Sequence, residues 1–179
     1  MGTVTGDPGT DAEVTNTGTS SGAIFDFVIP RGEPGSGRAP EVLSTVDTSN
    51  QPSTAGGALT FNDTPLVSGT AITHLAGSTD VQINQTGIYQ AAFHATIAVD
   101  TGTTIPDSVL VRLFLNSTPV PGATARHTFT SSNEVATISF DVPFQVSSTP
   151  ATVQVVVDEA GFIFEESALT VIRLGDTTP

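Results

Sequence analysis

The chain has 179 residues, with 18 acidic side chains against five arginines and no lysine, and a formal charge of −13. No basic face for nucleic-acid phosphates can be assembled from it, and the absence of cysteine and lysine excludes disulfides, thiolate zinc sites, Schiff bases and a phosphate-binding P-loop. Only 13% of residues are charged and mean hydropathy is +0.12, which places the chain among folded proteins rather than disordered ones.

In chain order, the turn residues Gly6-Asp7-Pro8-Gly9 come first, then two predicted strands over 12–17 and 23–29. The second, Ala23-Ile24-Phe25-Asp26-Phe27-Val28-Ile29, is apolar at nearly every position. A unit this small does not bury enough surface to stand alone without metal or disulfides. Oligomerisation is the remaining route. The Gly/Pro-rich run Arg31-Gly32-Glu33-Pro34-Gly35-Ser36-Gly37-Arg38-Ala39-Pro40 then marks a linker, so the chain is expected to divide into a small β-module (1–31), a connector (32–39) and a head (40–179).

From Pro40 onward, short β-patterned runs alternate with Gly, Pro, Asn, Asp and Ser, at the spacing of an antiparallel sandwich or barrel. About ten strands are expected, from the runs 42–47, 58–61, 71–74, 80–84, 87–99, 108–116, 118–129, 134–146, 151–158, 161–165 and 168–174. Ile138, Phe140, Val142, Phe144 and Val146 alternate with polar residues, so that strand has one dry face. By contrast, 109–115 and 153–157 are apolar on both faces. A two-layer sandwich covers only one face of each strand, so a second subunit is expected to cover the other. Leu110, Phe114 and Val156 in the head, with Phe25 and Phe27 in the module, are the expected interface residues.

Gly87-Ile88-Tyr89-Gln90-Ala91-Ala92-Phe93-His94-Ala95 resembles the long central strand of the complement-globular-head and tumour-necrosis-factor superfamily, which opens on Gly-x-Tyr. The run 111–120, with Asn116-Ser117 at its turn, resembles the next strand and its Asn-Gly turn, with Ser117 replacing the glycine. Ser167-Ala168-Leu169-Thr170-Val171-Ile172-Arg173-Leu174 is similar to the closing strand, with Leu169 and Val171 at the usual aromatic and glycine positions. The resemblance implies an all-β, ten-stranded antiparallel jelly-roll sandwich forming a homotrimer, preceded by a small intertwined β-module. It also adds Ile172 and Leu174, on the closing strand, to the expected interface residues. The run 5–19 with 25–32 resembles a short module found beside Gly-x-y arrays in bacterial and phage collagen-like proteins, including spore exosporium glycoproteins. In this chain the array is reduced to Gly32-Glu33-Pro34-Gly35-Ser36-Gly37, too short for a triple helix. The function implied is the trimeric tip of a collagen-like fibre on a bacterial spore or cell surface, outside the cell. The alternative is a receptor- or glycan-binding head of a phage tail fibre or adhesin, on a virion or cell.

Candidate chemistry is sparse. No nucleophile elbow, His-Glu-x-x-His or phosphate loop is present, and no enzymatic activity is expected. His94 is the best placed histidine, since three copies on a threefold axis could hold a cation, but a surface or interface histidine without metal is the favoured reading. Asp158, Glu159, Glu165 and Glu166 flank 160–164, where a hairpin would gather four carboxylates that suit calcium. A solvated acidic rim is favoured, with no cofactor. Asn62, Asn84 and Asn116 head accidental glycosylation sequons in a Thr-rich chain. No 18-residue apolar run spans a membrane, and the partners expected are two further copies, with a host glycan or receptor as a further possibility.

Overall fold

Strand formation follows the alternation of apolar and polar residues wherever one face is dry, and departs from it at sheet edges and bulges. The computed structural model describes residues 3–33, 39–105 and 107–177. Two compact units cover Met1–Arg38 and Ala39–Pro179; positions 34–38 of the expected connector lie outside the described residues.

The first unit is a three-stranded sheet of β1 (Thr3–Gly6), β2 (Glu13–Asn16) and β3 (Phe25–Pro30) in the order β1-β3-β2. Sequence reading anticipated β2 and β3 and missed β1, whose four residues are too few to show a period. β1 runs parallel to β3, and β2 antiparallel to it.

The head is all-β. Its strands are β4 (Glu41–Asp47), β5 (Gln51–Pro52), β6 (Gly57–Ala58), β7 (Asp63–Ser68), β8 (Ile72–His74), β9 (Val81–Ile83), β10 (Gly87–Val99), β11 (Asp107–Leu115), β12 (Thr118–Phe129), β13 (Val135–Val146), β14 (Ala151–Val157) and β15 (Phe162–Gly175). One sheet has the order β13-β10-β15-β4-β7, with β5 beside β15; the other has β12-β11-β14-β9-β8, with β6 beside β14. Pairing within both head sheets is antiparallel, and β10 to β11, β12 to β13 and β14 to β15 each cross from one sheet to the other. The result is a jelly-roll sandwich.

Four details differ from the sequence reading, the first being the two-residue β5, which no predicted strand covers. The strand expected over 58–61 is only the two-residue β6, followed by an isolated bridge from Phe61 to Ser78. β7 was missed because Pro65 interrupts a run that shows no alternation. Pro is tolerated there because β7 is an edge strand, as are β12 and β13, which carry Pro119, Pro121 and Pro143. The runs 161–165 and 168–174 form one strand, β15. Phe162 and Phe164 point inward at even positions, and Ser167, Leu169 and Val171 at odd ones. A bulge opposite Thr96 and Ile97 absorbs the extra residue that this change of parity requires.

The core lies between the two sheets. Tyr89, Phe93, Phe129, Phe162 and Phe164 are fully buried there, each contributing about 2–3 kcal/mol of transfer free energy. Directly opposite one another on β10 and β13, Tyr89 stacks on Phe144 at 5.8 Å and Phe93 on Phe140 at 5.2 Å. Such pairs specify register, because a one-residue slip would turn both rings out of the core. Tyr89 also donates its hydroxyl to the Gln85 carbonyl at 2.6 Å.

The β11–β12 turn accounts for the departure noted at Ser117. Leu115 pairs with Thr118, and Asn116 and Ser117 between them take φ of 48° and 64°, the left-handed pair of a tight hairpin turn. Asn tolerates this conformation; Ser does so less well. Ser117→Gly is therefore expected to raise stability by about 0.5–1 kcal/mol, read as a higher urea midpoint at unchanged slope.

Candidate functional site

The sandwich presents two outer faces, and the residues expected at a subunit interface divide between them. Leu110 and Phe114 project outward from β11 and Val156 from β14, whereas Ile172 and Leu174 project outward from β15 in the opposite sheet. Phe25 and Phe27 lie on β3 of the first unit. The five head residues therefore do not form one patch.

On the outer face of the β11 sheet, polar side chains pair among themselves. Arg112 Nη2 meets Asp158 Oδ2 at 2.6 Å, Gln154 Nε2 donates to Asp80 Oδ1 at 2.7 Å, and Gln82 Nε2 donates to Thr152 Oγ1 at 3.1 Å. Leu110 and Phe114 are half-buried between these groups, and Val156 is only 9% exposed. Val156, on the second face of 153–157, is thus covered largely by its own chain.

The outer face of the β10 sheet is different. Register places Gln90, Ile172 and Val42 in one row across β10, β15 and β4, and Ala92, Thr170, Ser44 and Leu66 in the next, which extends to β7. Leu66 is 49% exposed, Ile172 37% and Leu174 55%, and Val135 at the far end of β13 is also exposed. Charge is confined to the margins of the face: Asp141, which accepts from Gln90 Nε2 at 2.7 Å, Glu166, opposite Thr96, and exposed Asp63 at the start of edge strand β7, opposite Val46. This is a broad, nearly uncharged surface of apolar and small polar side chains on a chain of charge −13.

His94 is exposed on that same face, as its alternation implied, and borders a cavity of about 230 Å³ with Val46, Asp47, Thr48, Glu166, Ser167 and Ala168. Asp47, although beside the cavity, is 3% exposed. Its carboxylate accepts from Ser49 N at 2.9 Å, Ser49 Oγ at 2.6 Å, Gln51 Nε2 at 3.2 Å and Asn62 Nδ2 at 3.2 Å. It is a structural knot that ties the segment after β4 to the strands beyond it, since four donors offset the cost of burying the group.

The expected acidic hairpin is also corrected. β14 and β15 belong to opposite sheets, so Asp158 and Glu159 are not folded back against Glu165 and Glu166, and Asp158 is engaged by Arg112. Among the described residues, no three or more His, Asp or Glu side chains come together as metal ligands. The three sequon asparagines hold internal hydrogen bonds: Asn62 Nδ2 to Asp47, Asn84 Nδ2 to Thr70 O, and Asn116 Oδ1 from Thr152 N.

The other two histidines, His74 and His127, have defined structural partners. His74 Nε2 lies 3.2 Å from the Ser78 carbonyl, which makes Nε2 the donor, so Nδ1 accepts from Thr64 Oγ1 at 2.8 Å. His127 Nε2 contacts Glu134 Oε1 at 2.7 Å, closing the loop between the sheets at β12 and β13, and its ring packs edge-on against Phe129 at 4.6 Å. The backbone N–H of Thr130, with His127 second, holds the Glu134 carboxyl below its usual range. A carboxyl with a lowered folded pKa contributes stability that is complete above 4.5 and lost as pH falls through the folded value. Hydrogen exchange at the Thr130 amide is therefore expected to show protection at neutral pH that weakens below 4.5. In Glu134→Gln this pH dependence should disappear.

Neither family models nor curated proteins match this chain. Solved structures do. The globular domain of a zebrafish complement 1qA protein aligns with a TM-score of 0.59 at 13% identity, over 76% of this chain and 99% of that one. Murine APRIL aligns at 0.59 and 12% identity, over 75% and 99%, and the Eiger tumour necrosis factor of S. frugiperda at 0.59 and 11%, over 79% and 97%. The head has the tumour-necrosis-factor and complement-globular-head jelly-roll fold. The Gly-x-Tyr strand is its β10, and the closing Ser-x-Leu-x-Val run is the second half of β15, the neighbour of β10 in the sheet.

Proposed function

We propose that the protein is a homotrimeric structural head, the tip of a collagen-like fibre on the surface of a bacterial spore or cell, and that three heads pack through the outer face of the β10 sheet. The observation that carries this reading is the concentration of exposed Leu66, Ile172 and Leu174 on a nearly charge-free face of a strongly acidic chain. Like-charged subunits associate only where their charges do not meet, and that face is where they do not. The likeness to complement and tumour-necrosis-factor heads supports the same reading at the level of fold. Of the residues expected at the interface, Ile172 and Leu174 belong to this face; Leu110 and Phe114 lie on the opposite one, where polar groups already pair with each other. A scaffolding role needs no ligand, and none is assigned.

A second reading, a glycan- or receptor-binding head on a virion or adhesin, has one observation in its favour. Leu75 is 77% exposed, yet it sits in a tight turn held by the Ser78 N to Leu75 O bond at 2.9 Å and the Gly77 N to Phe61 O bond at 2.8 Å. An apolar side chain presented on so well tied a turn suits contact with a partner. Screening the intact protein on an array of glycans decides between the two. No binding above background, together with a three-chain mass by light scattering, supports the scaffold. Saturable binding that Leu75→Ser abolishes supports the binder.

A further inference from the structure

We infer that the first unit is a clasp assembled from several copies of the chain: its sheet closes only when the face carrying Val14, Phe25, Phe27 and Ile29 packs against the same face of other copies. The inference extends the trimer reading of the head to a separate contact. Register sets the two faces of this sheet. Phe27 on β3 lies between Thr3 and Val14, Phe25 lies opposite Asn16, and Ile29 opposite Thr5, so one face holds Val14, Phe25, Phe27 and Ile29 with small polar neighbours and no charge. Val28 lies between Val4 and Glu13, and Asp26 opposite Thr15. The strand carboxylates thus occupy the other face alone.

No described side chain of this unit is buried; Phe25 is 45% exposed, Ile29 55% and Val14 59%. A three-stranded sheet that leaves Val14, Phe25 and Ile29 exposed and only half-buries Phe27 and Val28 does not offset the conformational entropy of ordering its backbone. Whatever orders the sheet must therefore cover that face. The occupant is another copy on two grounds: the face presents no charge to an equally acidic partner, and placing Glu13 and Asp26 on the opposite face keeps like charges apart when copies meet front to front. β3 ends at Pro30, immediately before Arg31-Gly32-Glu33, so the clasp would gather the chains where they enter the connector.

Because the chain contains no cysteine, single substitutions report proximity cleanly. In the full-length protein, at least one of Val14→Cys, Phe25→Cys and Ile29→Cys is expected to form interchain disulfides on mild oxidation, at least tenfold faster than Glu13→Cys or Val4→Cys on the opposite face. Equal rates for the two sets, or faster linking of the Glu13 and Val4 set, would overturn the clasp. So would no linking by any of the five in a particle of three-chain mass. The head reading fails separately, through a single-chain mass for the unsubstituted protein.

Discussion

In the proposed trimer, Ile172→Asp is expected to reduce the particle from three chains to one, with the mass by light scattering falling to the 18.3 kDa of a single chain at micromolar concentration. Ile172 lies mid-face on β15, between Gln90 of β10 and Val42 of β4. A carboxylate there would be taken out of water in three symmetry-related copies, with no arginine among the described residues of the face to receive it. Leaving an uncompensated charge in a dry contact costs about 3–5 kcal/mol, or roughly a thousandfold in affinity for each contact. The folded head should survive, because Ile172 is 37% exposed in the single chain and its neighbours Val171 and Leu169 keep the core. Circular dichroism should be unchanged while mass falls. Phe114→Asp is the matched control: on the other face, beside Arg112, it should leave the mass at three chains. The reverse pattern, with Phe114→Asp dissociating the particle and Ile172→Asp not, would move the interface to the β11 sheet.

Gly87→Ala is expected to destabilise the head by about 3 kcal/mol, lowering its melting temperature by roughly 10 °C. A Cβ at this position would lie 2.5 Å from the Gly175 carbonyl oxygen and 3.0 Å from Arg173 Nε. The first of these is backbone on the paired strand and cannot swing aside. Arg173 is itself anchored, its Nη2 donating to Thr86 O at 2.8 Å and pairing with Asp176, and hydrogen bonding to Asp176 holds its pKa above the ordinary arginine value. Relief of the clash therefore requires β10 and β15 to separate where their register already shifts between Ile88 and Tyr89. Gly122→Ala is a suitable comparison, since only the tip of Val142 approaches, at 3.9 Å, and the cost there is the positive φ of 82° alone. Equal losses for the two variants would show that backbone conformation, rather than the close approach to β15, explains the glycine of the Gly-x-Tyr motif.

The long strands were legible because their constraints are local. β10 and β12 have the bounds that alternation predicts, 87–99 and 118–129, and β13 differs by one residue at its start. β10 and β13 carry an uninterrupted period of two, and a period of two with one dry face has only one register that keeps the aromatic rings inside; β12 changes parity between Val120 and Ala123, at Gly122. The resemblance of three motifs to the strands of complement and tumour-necrosis-factor heads implied the jelly roll, and the composition excluded nucleic-acid binding and thiol or lysine chemistry.

What the residues alone did not determine is which dry face meets which. Val109 to Leu115 reads as apolar on both sides, and nothing in that run says that Arg112 finds Asp158 across the sheet or that Val156 is covered by its own chain. The run 151–165 reads as a hairpin because its strands are adjacent in sequence; the crossing from one sheet to the other parts the acidic residues, and that crossing depends on long-range pairing of β14 with β11 and of β15 with β10. The bulge in β15 was hidden for the same reason, since a change of parity looks like a strand end until a partner strand runs past it. Periodicity reports how many faces of a strand are dry, a property of neighbouring residues. Which partner covers each face depends on contacts between residues far apart in the chain, and only the tertiary structure decides it.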